Sequence, residues 1–242
     1  MQKFFQFHSK LDPFRLFSKE HLFTLGIILV LCILLVIFRK QLQEQGRERL
    51  FRFSLAFLLL AFEVLNHLWL VYENAWSPKT ALPLQLSDLA VILAIVMLLT
   101  RSFRLFQFMY FAGLASSIQA IITPDLGKFS FPHFRYIEFF VSHGGVVIAC
   151  LFMVVVCKYR PTIPSMWVTI LIVNLYAACV FFLDKWLGAN YLYIMKKPKS
   201  ASLLDYLGPW PWYLLSMELM MIVSFYLLYS PFWLTRKIGR KL

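Results

Sequence analysis

The sequence predicts an all-α polytopic membrane protein: seven transmembrane helices with a polar chamber in the outer half of the bilayer. Three observations predict it. Of 242 residues, 60% are hydrophobic and 15% charged, and mean hydropathy is +0.70, well above a soluble domain's near-even balance. The charges gather between apolar runs of about 20 residues, the helical length that crosses the hydrocarbon. The few polar residues inside those runs recur at a shared depth.

The runs cover roughly 21–38, 51–72, 82–100, 104–123, 135–157, 163–187 and 211–235. They leave no room for a soluble domain. The chain divides into an interfacial N-terminal segment (1–20), a seven-helix domain (21–235) and a basic cytoplasmic tail (236–242). The first segment mixes aromatics with bases and lacks the unbroken apolar core of a signal peptide. A net charge of +12 does not point to nucleic acid, because the bases are spread over every loop rather than gathered on one face. The cysteines Cys32, Cys150, Cys157 and Cys179 all fall within predicted spans. They read as small buried hydrophobes, with no metal-ligand spacing and no disulfide pair in a loop.

Thirteen bases follow spans one, three, five and seven, against eleven on the other side. The positive-inside rule therefore puts the N-terminus outside and the C-terminus in the cytoplasm. In that frame the costly groups align. Glu63, Asn66 and His67 end span two; Gln85, Ser87 and Asp88 open span three; Gln119 ends span four; Arg135, Glu138, Ser142 and His143 open span five. Asp184 ends span six, and Ser216 and Glu218 lie near the start of span seven, with Asn174 nearer mid-depth. A charge at span centre costs about 2.5–3.5 kcal/mol on insertion scales, so alignment by depth across six helices implies one water-reached chamber.

Helical spacing supports convergence: Glu63, Asn66 and His67 share a face, Gln85 and Asp88 share another, and Arg135 and Glu138 can pair. Gly144 and Gly145 admit either a neighbouring helix or a ligand chain. Ser87 is placed roughly 7 Å deep and His143 roughly 12 Å deep at about 1.5 Å per residue. A serine is a weak nucleophile until a base takes its proton, and histidine is the usual base. A carboxylate from Glu63, Asp88 or Glu138 could fix the imidazole tautomer. A metal is not expected, because Glu63 and His67 at i, i+4 would hold only one edge of an ion. No cofactor is implied. The last long loop (187–213) is rich in aromatics and prolines, with Lys196, Lys197 and Lys199 at headgroup level. It serves as a membrane anchor or as a cover over the chamber, with Asn190, Lys196 and Lys197 as substrate-binding candidates beside Glu63, His67, Gln85 and Gln119.

The motifs "LPLQLSDLA", "QAIITPDL", "FPHFRYIEFFVSHG", "ANYLYIMKKP" and "SLLDYLGPWPWY", in that order between the spans, resemble the bacterial YwaF-type integral membrane proteins. These are related to the vertebrate transmembrane-protein-164 acyltransferases. The resemblance runs from about residue 50 to 232 and implies a bacterial cell membrane. It also implies acyl transfer onto lysophospholipids through a cysteine and a histidine, which match Ser87 and His143. The chain departs from the pattern by its hydroxyl at Ser87 and by Gln85 where the family motif carries histidine. Androgen-induced membrane hydrolases pair a threonine with a histidine, so a hydroxyl is compatible with acyl chemistry. The expected function is a lipid acyltransferase or acyl hydrolase with Ser87, His143, Asp88 and Glu138 as the catalytic set and a membrane lipid, lysophospholipid or acyl chain as substrate. The rival readings are a transporter or ligand-binding protein using the same chamber, and a non-catalytic family member. The sequence specifies no oligomeric state.

Overall fold

The computed structural model describes residues 4–9, 11–198 and 203–239. Lys3, Lys10, Lys199, Arg240 and Lys241, all counted in the charge balance, lie outside the described residues. Among the described residues every regular element is helical. Six helices among the described residues are long and apolar enough to cross a membrane, and a seventh apolar helix is shorter.

Helix α1 (Lys19–Ile37) starts where the Ser18 hydroxyl accepts from the His21 amide. It buries only His21, Ile28 and Leu35, a one-sided stripe at seven-residue spacing, and turns the rest of its apolar surface outward. A four-residue helix, α2 (Arg39–Leu42), leads into α3 (Gln45–Tyr72). At 28 residues, α3 is about 42 Å long and overshoots the hydrocarbon. It begins before residue 51 because Glu48 and Arg52 pair one turn apart at 2.8 Å.

The third predicted span is corrected. Helix α4 covers only Leu86–Thr100, 15 residues and about 22 Å, too short for a hydrocarbon core of about 30 Å. Residues 73–85 enter the bundle without helical structure. The fourth span is one helix in three pieces: α5 (Phe103–Phe108), a π-helical turn at Met109–Gly113, and α6 (Leu114–Ile122).

Helix α7 (Phe134–Val155) is the central post, packed against α1, α3, α4 and α6. Its glycine pair answers to packing rather than to a ligand. A Cβ at Gly144 would sit 3.0 Å from Ile28 Cδ1 on α1, and one at Gly145 would sit 2.6 Å from Leu59 Cδ2 on α3. Small residues let these backbones close up. Helix α8 (Ile163–Leu187) carries a Thr162–Ser165 capping box at one end and Gly188 at φ +64° at the other. Helix α9 (Trp212–Gly239) completes the bundle. The half of the bundle away from the chamber is filled by Met97, Leu98, Phe106, Phe152 and Met153, all fully buried.

The cysteine reading is corrected too. Cys150 is buried, Cys32 and Cys157 are half-buried, and Cys179 is exposed on the outer surface of α8. Cys157 lies beyond the end of α7.

Candidate functional site

A cavity of about 1680 Å³ opens at the end of the bundle where α3, α6 and α8 finish and α4, α7 and α9 begin. It exceeds the roughly 300–1,000 Å³ of a drug-sized ligand pocket. Glu63, His67, Gln85, Ser87, Asp88, Gln119, Glu138, His143, Asn190, Lys196 and Lys197 all line it. These eleven candidates therefore share one chamber, whereas Asp184, buried and accepting from the Tyr191 amide, and Ser216, whose hydroxyl donates to the Leu207 carbonyl, are not part of its wall.

The position of α4 sets the geometry. The Arg52 guanidinium on α3 donates to the Leu98 carbonyl on α4, which fixes the register of this antiparallel pair. Ten residues further along each helix bring Asp88 level with the Glu63 turn. Ser87 therefore sits about 14 Å beneath the end of α3, not the 7 Å expected from a span starting at residue 82. Residues 73–85 can reach this depth because their backbone groups are satisfied within the protein, as buried irregular backbone requires. Ala75 and Trp76 donate to the Leu70 carbonyl, Ala81 donates to Ser77, and Leu84 donates to Leu82 across Pro83. Three further groups are met by tyrosines. The Tyr191 hydroxyl accepts from the Leu82 amide at 3.0 Å and donates to the Pro78 carbonyl at 2.9 Å. The Tyr176 hydroxyl donates to the Leu84 carbonyl at 2.9 Å.

The candidate serine, aspartate and histidine gather at the start of α4. Its first intrahelical bond runs from the Leu89 amide to the Gln85 carbonyl, and no side chain caps the end. The earlier amides of this turn are thus left as donors at the positive end of the helix. Asp88 Oδ1 lies 3.7 Å from His143 Nε2, with the imidazole 3% and the carboxylate 34% exposed. That distance is ion-pair reach, longer than a hydrogen bond. The Phe139 ring stands edge-on to the imidazole at 4.3 Å between centroids. His143 Nδ1 is buried and has no hydrogen-bond partner. Ser87 adjoins Asp88, so their Cα atoms are about 3.8 Å apart.

A second set of groups is already committed. Arg135 pairs with Glu138, and its guanidinium also reaches Asn66 Oδ1 at 3.5 Å. The Ser142 hydroxyl donates to Glu138 Oε1 at 3.1 Å. Glu138, 3% exposed, is thus held by a guanidinium and a hydroxyl, which offsets the cost of a buried charge. Its carboxylate is committed to Arg135 and Ser142, and Asp88 is the carboxylate beside the imidazole. His67 Nε2 sits 3.3 Å from Glu63, and its Nδ1 accepts from the Trp76 indole at 3.3 Å. Among the described residues no three His, Cys, Asp or Glu side chains converge as a metal site would need.

The cover is more elaborate than the loop composition indicated. Asn190 folds its own loop: Oδ1 accepts from the Met195 and Lys196 amides, and Nδ2 donates to the Lys196 carbonyl. Gln85 Oε1 accepts from the Leu192 amide at 2.9 Å, tying that loop to the start of α4. The Tyr193 hydroxyl donates to Asp125 Oδ2 at 2.7 Å. Burial and the Asp125 carboxylate both push this phenol above its ordinary pKa, so it stays a proton donor at neutral pH. Lys197 Nζ reaches the Asp205 carbonyl at 3.4 Å. On the opposite rim the N-terminal segment closes the wall. The Trp69 indole donates to the Phe5 carbonyl at 2.5 Å, the Phe7 amide donates to Glu73 at 2.8 Å, and His133 Nε2 lies 3.1 Å from the Gln6 carbonyl. Tyr176, Tyr191 and Tyr193 were not among the candidates from the sequence. Their only signal there was aromatic density, which also marks an interfacial belt.

Fold and site together define a polytopic helical membrane protein with a polar chamber sunk into one end. The sequence profile of the TMEM164 family matches residues 16–229, and the chain belongs to that family. No curated protein and no solved structure matches the chain.

Proposed function

We propose that the chamber is the active site of a lipid acyltransferase or acyl hydrolase, in a protein akin to the bacterial YwaF-type members. One observation carries the reading: the Asp88–His143 pair beside Ser87, at an uncapped helix start inside the open cavity. His143 turns Nε2 toward the start of α4, so Nε2 is the nitrogen placed to take a proton, and the Asp88 carboxylate beside it stabilises the imidazolium that forms. Ser87 Oγ loses its proton to that imidazole and attacks the carbonyl carbon of a lipid ester. The oxyanion is met by the free amides of the α4 first turn. The carbonyl–alkoxy bond then breaks, and His143 returns the proton to the leaving alcohol. The acyl-serine passes its acyl group to an acceptor hydroxyl in transfer, or to water in hydrolysis, by the same steps reversed.

Glu138 is best read as the partner of Arg135, which leaves Asp88 as the orienting carboxylate. Gln85 and Asn190 hold the cover rather than touch the reacting bond. In this reading the chamber end faces outside, and Lys196 and Lys197 meet a phosphate. A transporter would need a path through the opposite half, which among the described residues is packed apolar core. A serine-directed phosphonate should label the wild type in membranes and leave Ser87→Ala unlabelled. His143→Ala should change the acyl composition of the host lipids. Equal labelling of both proteins, with unchanged lipids, would overturn the reading.

A further inference from the structure

Helices α8 and α9 meet the rest of the bundle at their two ends and stand away from it between. On α8 the buried residues are Met166, Thr169 and Ile170 near one end and Val180 and Asp184 near the other. On α9, Tyr213 is buried, and the next buried residue is Phe225, followed by Tyr229. The inward faces between these anchor points line the cavity instead, through Val173, Ala177 and Ala178 on α8 and Met217, Met221 and Ser224 on α9. Asn174 bridges the gap, its amide donating to both Glu218 carboxylate oxygens at 3.1 and 3.3 Å. The arm ends on a floor. Phe225, 1% exposed, lies against Phe111 with centroids 5.4 Å apart, and the Tyr110 hydroxyl donates to the Leu228 carbonyl at 2.8 Å.

We propose that this arm is the binding site for one acyl chain of a bilayer lipid, which slides in sideways between α8 and α9 with its ester end in the polar chamber. The assignment rests on reading that chamber as a lipid site, and it does not require Ser87 to be the nucleophile. Three features carry it. The slot lies at hydrocarbon depth, where the neighbouring material is lipid tail, and apolar walls there have no hydrophobic drive to close on each other. Its lining on α9 runs from Leu214 to the Phe225 floor, about 17 Å at 1.5 Å per residue, which exceeds the half-thickness of about 15 Å that one leaflet's chain occupies. Its walls combine small residues, which give width, with methionines, which adapt to a flexible chain. Phe225 sets the depth of the arm, and the Asn174–Glu218 bridge spans the opening.

The test uses the full chain in phosphatidylcholine–phosphatidylglycerol vesicles doped with a phospholipid that carries a diazirine near one acyl terminus. After illumination, adducts are mapped by mass spectrometry in the wild type and in Ser87→Ala. Adducts should concentrate on Ala177, Ala178, Met217, Met221 and Phe225 in both proteins. Ala178→Trp and Ser224→Trp, which fill the slot, should cut inward labelling about tenfold, and Leu175→Trp on the outer face of α8 should not. Adducts as frequent on outward Leu171, Leu175 and Phe182 as on the inward face would overturn the assignment. So would unchanged inward labelling in Ala178→Trp. If the bulky variants fail to fold, the wild-type map alone decides. The map is read identically with and without the Ser87 hydroxyl, so a failed nucleophile and a failed acyl site give different results.

Discussion

Replacing Tyr191 by Phe isolates what holds the start of α4 at depth. The ring is 3% exposed and keeps its packing in the variant. Only the hydroxyl that links the Leu82 amide to the Pro78 carbonyl is lost. Pro78 is exposed, so its carbonyl finds another partner. The Leu82 amide is half-buried and does not, and an orphaned donor costs about 1–3 kcal/mol. Taking about 2 kcal/mol, the local opening equilibrium of this segment shifts about 30-fold. Hydrogen–deuterium exchange in detergent or nanodiscs reads that shift directly. Amides of Ala81, Leu82 and Leu84 should exchange about 30-fold faster, while peptides from α7 keep their rate. Unchanged exchange across residues 78–89 would show that the hydroxyl is not a strut. Equal acceleration in α7 would show that the loss is global, and the local argument would fail.

Arg135→Met should lower stability by about 3–5 kcal/mol, because it leaves the Glu138 carboxylate buried without its guanidinium; adding Glu138→Gln should recover at least half of the loss in thermal unfolding in detergent. Gly145→Val should destabilise by about 1–3 kcal/mol through the collision with buried Leu59, and more than Gly144→Ala, whose neighbour Ile28 sits on the peripheral α1 and can yield. Cys157 has a thiol pushed up to about 11, first by burial and then by the nearby Glu48 carboxylate. It is therefore protonated at pH 8, and its alkylation should run about two-hundredfold slower than that of a free cysteine with a pKa of about 8.5. Glu48→Gln should speed that reaction.

The depth pattern was legible because helical spacing is a local property. Glu63, Asn66 and His67 had to share a face once the span was helical, and Arg135 and Glu138 had to be able to meet. The start of α4 was misjudged because Leu82 and Leu84 count as apolar whether or not they are helical. Pro83, which lacks an amide proton and disfavours helix in the residue before it, was the clue to the break. Partners at long range were not legible. Nothing near His67 announces Trp76, and nothing near Gln85 announces the Leu192 amide. The choice among Glu63, Asp88 and Glu138 beside His143 needed the placement of α4 against α7. The slot between α8 and α9 arises from the divergence of two helices, which leaves no mark on either beyond the small pair Ala177 and Ala178.

The same long-range fastening constrains the order in which the molecule can be assembled. Tyr191 reaches back 109 and 113 residues to its backbone partners, and Leu192 reaches back 107 to Gln85. During synthesis Glu63 and Asp88 leave the ribosome well before Arg135 exists to compensate them. A nascent chain therefore holds two acidic side chains in or near the bilayer with no guanidinium beside them, and with the roof above them not yet made. The insertion machinery, or bound protons, must shelter those carboxylates until the second half of the chain arrives.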